Sequence, residues 1–316
     1  MLNVIIKKYM NKIILALSSF ITVVAICITY FVFCPMHNFL KSKRNPISVY
    51  EDNKLIVSSY NIRNDCDHGY RNFKYRAPLI KKNIELINPD IIGMQEVTTK
   101  QFKYFKSILK NYEHEVFFRE NGTSGESCPL FFNPSVFEKI DSSSFYLSDT
   151  PLVYSISWNS ACHRVCSYVL LKDKKTNKKL VVANTHLDLI SEEARVKGFQ
   201  TILNELNRRE LSEYPTLIMG DFNEYYNEDE NDEFQNLIRK DFVDAAVMAN
   251  PSLKFAPTFN GYDVNSDLSR IDYIVGSKNK ISFTDFKIYN NLYDIKLKKN
   301  QFPSDHYPIS AEFVLE

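Results

Sequence analysis

Glycine and proline are scarce in this chain, which has only 8 Gly and 12 Pro among its 316 residues. This scarcity excludes a collagen-like or low-complexity protein. Hydrophobic residues make up 44% and charged residues 24% of the chain, so it has enough apolar surface to form a core and is not wholly disordered. The length fits two average domains, or one large α/β domain with a short appendage.

A surplus of positive charge is also missing, since 39 Lys and Arg face 38 Asp and Glu. Residues 1–53 hold six of the basic residues and two of the acidic ones, which leaves 33 basic and 36 acidic side chains in residues 54–316. The body therefore has a net charge of about −3, which excludes a protein that holds nucleic acid by bulk electrostatics. Phosphate binding would need another positive charge, for example a bound metal ion.

Charged residues are absent from residues 13–33, a run of 21 residues. This length predicts a transmembrane helix, because about 20 apolar residues cross the ~30 Å hydrocarbon core of a bilayer. The alternatives are a cleaved signal peptide and a buried core helix; the run exceeds the usual signal-peptide core, and no small-residue cleavage site follows it. Three basic residues on each side leave the orientation nearly balanced, and we expect a single-pass membrane anchor with an exported body.

The anchor divides the chain into four parts. Residues 1–12 form a short basic segment, and residues 34–53 are polar, contain Pro35 and Pro46, and are typical of a linker. From residue 54 to residue 316, short apolar runs alternate with amphipathic stretches and no further linker interrupts them, which predicts a single domain.

Periodicity within this domain predicts both strands and helices. Apolar runs with β-branched residues predict strands at residues 55–62, 90–97, 179–187, 216–220, 270–277 and 308–315. Apolar residues at helical spacing predict one helix that ends at Asn88-Pro89 and another that Ser191 opens as its N-cap.

Polar residues of catalytic type recur where these predicted strands end. They are Asn61, Glu96, His186, Asp221, Asn223, Asp272, Asp305 and His306. Each fragment alone is typical of a turn or a half-buried polar residue. Strand ends at one edge of a sheet converge in space, however, so the ordered set YNIR, MQEV, NTHLD, GDFNE, RIDYI and SDHYPI indicates one site.

These fragments closely resemble the endonuclease/exonuclease/phosphatase superfamily over about residues 54–316, and GDFN and SDH are the most specific elements. The resemblance implies an α/β fold, a four-layer α-β-β-α sandwich of two packed β-sheets flanked by helices, preceded here by the N-terminal transmembrane helix. It also implies phosphoester hydrolysis that depends on Mg²⁺, with Mn²⁺ as the alternative ion. Arg63 stands where some nuclease branches of the superfamily carry an acidic residue. This chain therefore lacks one carboxylate that could bind the metal in those branches.

Phosphodiester hydrolysis needs a hard cation, an activated water and donors for the charge that develops in the transition state. Glu96 is the first choice as a metal ligand, with Asp305 as a second and Asn61 holding either the metal or a phosphate oxygen. Asp221 would orient and deprotonate the attacking water.

The remaining candidates would act on the phosphoryl group. Asn223 would polarise it, and His306, oriented by Asp272, would donate a hydrogen bond to it together with His186. Arg164 is a candidate for substrate binding, with a surface ion pair as the alternative; Glu126 is a secondary candidate of the same kind.

Four cysteines lie in the predicted domain, namely Cys66, Cys128, Cys162 and Cys166. No second Cys/His pair at zinc spacing accompanies them, so a zinc site is not expected. One disulfide or buried free thiols both fit the sequence.

The leading hypothesis is a membrane-anchored, magnesium-dependent phosphodiesterase, in the first place a nuclease with nucleic acid as its substrate. The alternatives are a phosphatase or sphingomyelinase-like phospholipase that acts on lipid head groups, and a binding module without catalysis. We expect no long apolar surface loop between residues 54 and 316, which favours nucleic acid over a bilayer. The nuclease hypothesis covers both DNA and RNA, and the sequence points to no protein partner.

Overall fold

In the computed structural model, which describes residues 54–263 and 269–316, the apolar runs become strands and the amphipathic stretches become helices. The strands are β1 (Leu55–Asn61), β2 (Ile91–Gln95), β3 (Val97–Thr98), β4 (Glu113–Glu115), β5 (Phe118–Glu120), β6 (Ser124–Ser127), β7 (Leu130–Phe132), β8 (Phe137–Tyr146), β9 (Val165–Asp173), β10 (Lys179–His186), β11 (Thr216–Asp221), β12 (Phe242–Asp244), β13 (Asp272–Ser277), β14 (Ile281–Ile288), β15 (Tyr293–Ile295), β16 (Lys298–Gln301) and β17 (Ile309–Leu315). The α-helices are α1 (Phe73–Ile87), α2 (Thr99–Ile108), α3 (Glu192–Arg208), α4 (Glu233–Asp241) and α5 (Ala245–Ala249). Short 3₁₀-helices lie at Gly69–Arg71 and Pro251–Leu253.

The six strands predicted from the sequence are all present, as β1, β2, β10, β11, β13 and β17. Helix α3 begins as predicted, since the Ser191 hydroxyl accepts a hydrogen bond from the Ala194 N–H at 3.1 Å. Helix α1 ends at Asn88, whose left-handed backbone (φ 47°) stops the helix before Pro89. Its start at Phe73 is capped by the side chain of Asn72.

Two six-stranded mixed sheets form the centre of the fold. The first has the order β14-β17-β1-β2-β7-β4, and the second has the order β12-β13-β11-β10-β9-β8. Each contains a parallel pair, β1 with β2 and β10 with β11, and the other neighbouring strands in these two sheets run antiparallel. Since parallel strands end at the same edge, both sheets bring strand ends together.

Three apolar clusters set the layers. One lies between the two sheets and joins residues such as Val57 and Leu217. A second packs α3 and α4 on the outer face of the second sheet, through residues such as Phe199 and Ile238. A third packs α1 and α2 on the outer face of the first sheet, and Ile80 and Phe105 belong to it. The resulting order of helices, sheet, sheet and helices agrees with the predicted sandwich.

The predicted transmembrane helix at residues 13–33 and the linker at residues 34–53 lie outside the described residues. Among residues 54–263 and 269–316, no helix combines the length and the apolar character that a bilayer crossing requires. The four cysteines of the described domain are free thiols; Cys128 and Cys166 are buried, while Cys66 is exposed.

Candidate active site

The strand ends of the two sheets meet in one cleft. In the second sheet, His186 and Asp221 are register partners on parallel strands, and Asp221 is in turn the register partner of Asp272. In the first sheet, Asn61 ends β1 and Glu96 follows β2. The segment before β17 adds Asp305 and His306. All eight candidate residues at predicted strand ends, Asn223 among them, therefore lie at one edge of the sandwich.

Glycine is required at this edge where β11 approaches β10. The backbone of Gly220 has φ 152°, and a Cβ atom at this position would lie 1.9 Å from the Thr185 carbonyl oxygen. Any side chain would push the two strands apart and displace the neighbouring Asp221. This requirement explains the glycine of the GDFN fragment.

Asn61 connects the carboxylates of the two sheets. Its Nδ2 donates to Glu96 Oε1 at 3.1 Å and to Asp221 Oδ2 at 2.9 Å. Its Oδ1 accepts the Arg63 N–H at 3.0 Å, which orients the amide. Glu96 has a left-handed backbone (φ 60°), and it is 8% exposed. Such strain in a non-glycine residue is typical of functional sites.

A carboxylate-histidine-carboxylate row lies beside this group. His306 Nδ1 is 2.9 Å from Asp272 Oδ2, and His306 Nε2 is 3.6 Å from Asp221 Oδ2. Burial lowers the pKa of His306, but the charges of Asp272 and Asp221 outweigh it and raise the pKa above its ordinary value. Burial raises the pKa of Asp221 to about 7, although the positive His306 opposes this shift. The row thus contains a carboxylate of increased basicity next to a protonated imidazole.

Asn223 lies next to His186 on the other side of Asp221. Its backbone N–H donates to Asp221 Oδ1 at 3.0 Å, and its Nδ2 is 3.0 Å from His186 Nε2. Burial, followed by the positive charge of Arg164, lowers the pKa of His186 well below its ordinary value, so the ring is neutral. When Nε2 of a neutral ring accepts from Asn223, it cannot donate to a phosphate; the predicted donor role of His186 requires the other tautomer.

Glu96 and Asp305 face one another across Arg63. The guanidinium Nη1 is 3.9 Å from Glu96 Oε2 and 3.6 Å from Asp305 Oδ2. Burial raises the pKa of Asp305, and the charge of Glu96 raises it further. Two buried carboxylates that share one guanidinium are hard oxygen ligands, so the donor set fits Mg²⁺.

A second group, Asp221, Asp272 and His306, also brings potential ligand atoms within 4.8 Å of one another. Asp272 is fully buried and already bonds His306. Glu96 and Asp305 line the open cleft whereas Asp272 is covered, so these two carboxylates are the more accessible candidates for a metal.

The cleft has a volume of about 620 Å³, and its lining has as many arginines as carboxylates. Its charged lining consists of Arg63, Arg119, Arg164, Arg195, Glu96, Glu126, Asp221 and Asp305. Beyond Arg63, the other three arginines also have carboxylate partners, for example Arg119 Nη1 with Glu126 Oε2 at 2.7 Å and Arg195 Nε with Glu224 Oε2 at 2.6 Å. No unpaired basic groove is therefore found among the described residues of this cleft.

Arg164 has the geometry of a substrate-binding arginine. Only 8% of it is exposed, and its Nε contacts Asp188 Oδ2 at 3.3 Å. Asp188 is itself fixed by the hydroxyl of Ser160 and the N–H of Ala161. Within the described residues, no hydrogen-bond acceptor contacts the Nη nitrogens of Arg164, so this side of the guanidinium remains available in the cleft.

Two short pairs of apolar residues are exposed on surface loops of the domain. Leu152 and Val153 are 64% and 62% exposed, and Leu189 and Ile190, which line the cleft, are 62% and 71% exposed. The loops that carry these two pairs are joined where Ser191 Oγ donates to the Trp158 carbonyl at 2.6 Å. Of the two pairs, Leu189 and Ile190 are the one that lines the cleft.

Other site residues had no signal of their own in the sequence. Arg119 lies in a short strand, and Asn64 follows Arg63 without an apolar run, yet both bond Glu126. Asp188 was part of the NTHLD fragment, and its position two residues after His186 could have identified it.

The fold and the cleft together define a class of phosphoesterases. The sequence matches the Endonuclease/Exonuclease/phosphatase family over residues 58–306, and the chain belongs to this family. Members of the family are metal-dependent phosphoesterases. The predicted family resemblance is confirmed.

Three individual proteins show how far this similarity extends. The solved structure of a mannosyl-6-phosphatase from Bacteroides thetaiotaomicron is 28% identical, with a TM-score of 0.73, and the match covers 82% of this chain and 99% of that one. The human nocturnin catalytic domain, 22% identical with a TM-score of 0.65, covers 84% of this chain and 94% of that domain, and it shows a shared fold. Carbon catabolite repressor protein 4 homolog 3 of Arabidopsis thaliana is 26% identical over 209 residues, which are 59% of this chain but only 43% of that protein.

Proposed function

We propose that the protein is a metal-dependent phosphoesterase that acts on a compact phosphoester, such as a sugar phosphate. The observation that carries this proposal is that each of the four arginines of the cleft already has a carboxylate partner. A long polyanion would need surplus positive charge along its path, whereas a single phosphoryl group needs only a cation and a few local donors. The likeness to a mannosyl-6-phosphatase supports the same substrate class.

In this proposal, Glu96 and Asp305 hold Mg²⁺, with Asn61 beside them. The bound ion would supply positive charge for the phosphoryl oxygens. Asp221, with its raised pKa, accepts the proton of the attacking water. The N–H at His306 Nε2 donates to a phosphoryl oxygen while Asp272 holds Nδ1 on the opposite side of the ring.

The remaining candidates bind the phosphoryl group in this proposal. Asn223 donates from its amide, and His186 adds a second donor in its Nε2–H tautomer. Arg164 offers its Nη nitrogens, held in place by Asp188. Since Arg164 is positioned before substrate arrives, little side-chain entropy is lost on binding.

A nucleic-acid phosphodiester, the substrate predicted from the sequence, is the second candidate. The cleft offers stacking surfaces for a base, because Tyr225 and Phe259 line it and Tyr225 is 62% exposed. Aromatic rings stack on bases largely independently of the nucleotide sequence. Such contacts do not require a basic groove.

The test compares substrates at equal phosphate concentration and saturating Mg²⁺. Mannose 6-phosphate, a DNA and an RNA oligonucleotide, and sphingomyelin vesicles are each incubated with the full chain and with Asp221→Asn. Faster release of inorganic phosphate from the sugar phosphate, lost in the variant, supports the first candidate. Preferential cleavage of an oligonucleotide would replace it with the nuclease, and preferential head-group release would point to the lipid alternative. Full activity in excess chelator would contradict the metal requirement in every case.

We further propose that residues 13–33 anchor the protein in a membrane with the domain exported. The support is the uncharged run of 21 residues. The full chain should then stay in the membrane pellet after extraction with alkaline carbonate. Soluble recovery, or a mature N-terminus near residue 35, would instead indicate a cleaved signal peptide.

A further inference from the structure

Arg76 of helix α1 is a fully buried arginine whose guanidinium bonds only to backbone carbonyls. Its five N–H donors are all used: Nε on Arg71 at 2.6 Å, Nη1 on Ile62 at 2.6 Å and Pro303 at 3.2 Å, and Nη2 on Arg63 at 3.1 Å and Asn64 at 2.7 Å. A buried charge is costly unless hydrogen bonds replace its water, so this full set of acceptors is what makes Arg76 tolerable at this position.

Two of the segments that Arg76 joins lead directly to the metal carboxylates. In the first, the N–H of Asn64 donates to Glu96 Oε2 at 3.0 Å, and the N–H of Arg63 donates to the Asn61 side chain. In the second, Pro303 lies two residues before Asp305. Arg76 thus connects, from behind the cleft, the backbone that orients Glu96 with the backbone that carries Asp305.

The guanidinium of Arg76 stabilises the backbone conformation of residues 62–64. Three successive carbonyls, from Ile62 to Asn64, reach one guanidinium, and Arg63 between them has a left-handed backbone (φ 54°). A left-handed backbone is unfavourable for arginine, and it persists where surrounding contacts compensate for it. Gln101 adds one such contact, because its Nε2 donates to the Arg63 carbonyl at 2.8 Å.

We propose that Arg76 is a positioning residue for the metal site. By holding residues 62–64 and Pro303, it keeps Glu96 and Asp305 at the separation that cation binding requires. This inference rests on the proposed function only in taking these two carboxylates as metal ligands. It predicts that loss of the guanidinium fork weakens Mg²⁺ binding beyond any loss of stability.

Arg270 provides a matched control, since it is also a buried arginine, 1% exposed. Its Nη1 pairs with Asp244 Oδ2 at 2.8 Å, and its guanidinium lies between the rings of Tyr226 and Tyr273. None of these partners is a carboxylate that we assign to the metal. Lysine at either position keeps the charge and removes the planar guanidinium. The two variants therefore differ only in which partners lose their contacts with it.

The experiment measures thermal unfolding of the full chain over a MgCl₂ titration. We expect Arg76→Lys and Arg270→Lys both to lower the melting temperature in chelator. Arg76→Lys should also raise the MgCl₂ concentration at half-maximal stabilisation by about tenfold or more, whereas Arg270→Lys should change it by less than about twofold. A melting temperature lowered by Arg76→Lys with an unchanged MgCl₂ midpoint would overturn the proposal.

Gln101→Leu decides the question if Arg76→Lys does not fold, because it removes one donor to the same carbonyl of Arg63. A raised MgCl₂ midpoint in this variant supports the proposal, and an unchanged midpoint overturns it. If the wild-type chain itself shows neither stabilisation by MgCl₂ nor hydrolysis, the proposed function fails as well. If the wild type and the variants bind MgCl₂ with the same midpoint, the positioning role of Arg76 is refuted but the proposed function is not.

Discussion

The inner face of the two sheets changes from aliphatic in the middle of the strands to polar at the cleft. The inward residues, in order along the chain, are Leu55, Val57, Ser59 and Asn61 in β1; Leu180, Val182, Asn184 and His186 in β10; and Leu217, Met219 and Asp221 in β11. The same two-residue period therefore places core residues and site residues on one face. What differs is whether a side chain lies opposite another strand or next to the open cleft.

A polar contact between the sheets marks the boundary of the two regions. Gln95 Nε2 donates to Asn184 Oδ1 at 2.7 Å, and both side chains are fully buried. A Cβ atom on Gly93 would lie 2.7 Å from the Asn184 side chain, so the sheets approach closely at this level. On the apolar side of this contact, packing determines stability; on the cleft side, buried polar groups lower stability and provide chemistry.

The largest expected effect is on turnover at the cleft end of β11. Asp221→Asn should lower kcat by roughly 10²–10⁴, the range expected for a positioned general base, because the amide cannot accept the proton. His306→Ala should be comparably harmful. Steady-state kinetics with the substrate that the protein hydrolyses best measures both, and near wild-type turnover in either variant would refute its assigned role.

The next largest effect is expected at Glu96, the proposed metal ligand that follows β2. Glu96→Gln keeps the shape and removes the charge, so we expect at least about 10–100-fold weaker metal affinity, the range seen when even an indirect partner of a metal ligand is lost. The readout is the MgCl₂ concentration that gives half-maximal activity. An unchanged metal requirement would place the cation elsewhere, with Asp221, Asp272 and His306 as the next group to test.

The middle of β11 should behave in the opposite way to its cleft end. Leu217 is fully buried between the sheets, four residues before Asp221 on the same face. Leu217→Ala should reduce the free energy of unfolding by about 2–5 kcal/mol through loss of packing and creation of a cavity. Turnover per folded molecule should not change. Denaturant unfolding and active-site-normalised kinetics give the two values; a large loss of kcat in folded protein would mean that the two regions are coupled.

The smallest expected effect is a pH-dependent difference in stability at the cleft. Since the folded pKa of Asp221, about 7, exceeds its ordinary value, the folded state binds its proton more tightly than the unfolded state does. The stability contributed by this proton is present at low pH and is lost as the pH rises to about 7. In chelator, Asp221→Asn should therefore melt above the wild type at pH 8, and the difference should shrink towards pH 4. A constant difference across this range would contradict the raised pKa.

Much of the site could be predicted because its residues follow apolar strands that are recognisable by themselves. Asp221 follows the run at residues 216–220, and His186 ends another, so their placement needed only strand prediction and the convergence of strand ends. Arg76 could not be predicted in the same way. It lies on a helix whose pattern is otherwise ordinary, and its partners are carbonyls up to 227 residues away in sequence.

The sequence by itself determined six strands of the two sheets, the family and the candidate residues of the site, since hydrophobic periodicity and short motifs are local properties of the chain. Only the tertiary structure decided which charges pair in the cleft, which apolar residues stay exposed at its rim and which buried arginine bonds the backbone next to Glu96 and before Asp305. The physical reason is that pairing, exposure and burial depend on neighbours that are distant in sequence. Arg63 and Asp305, separated by most of the domain, become partners only when β1 pairs with β17.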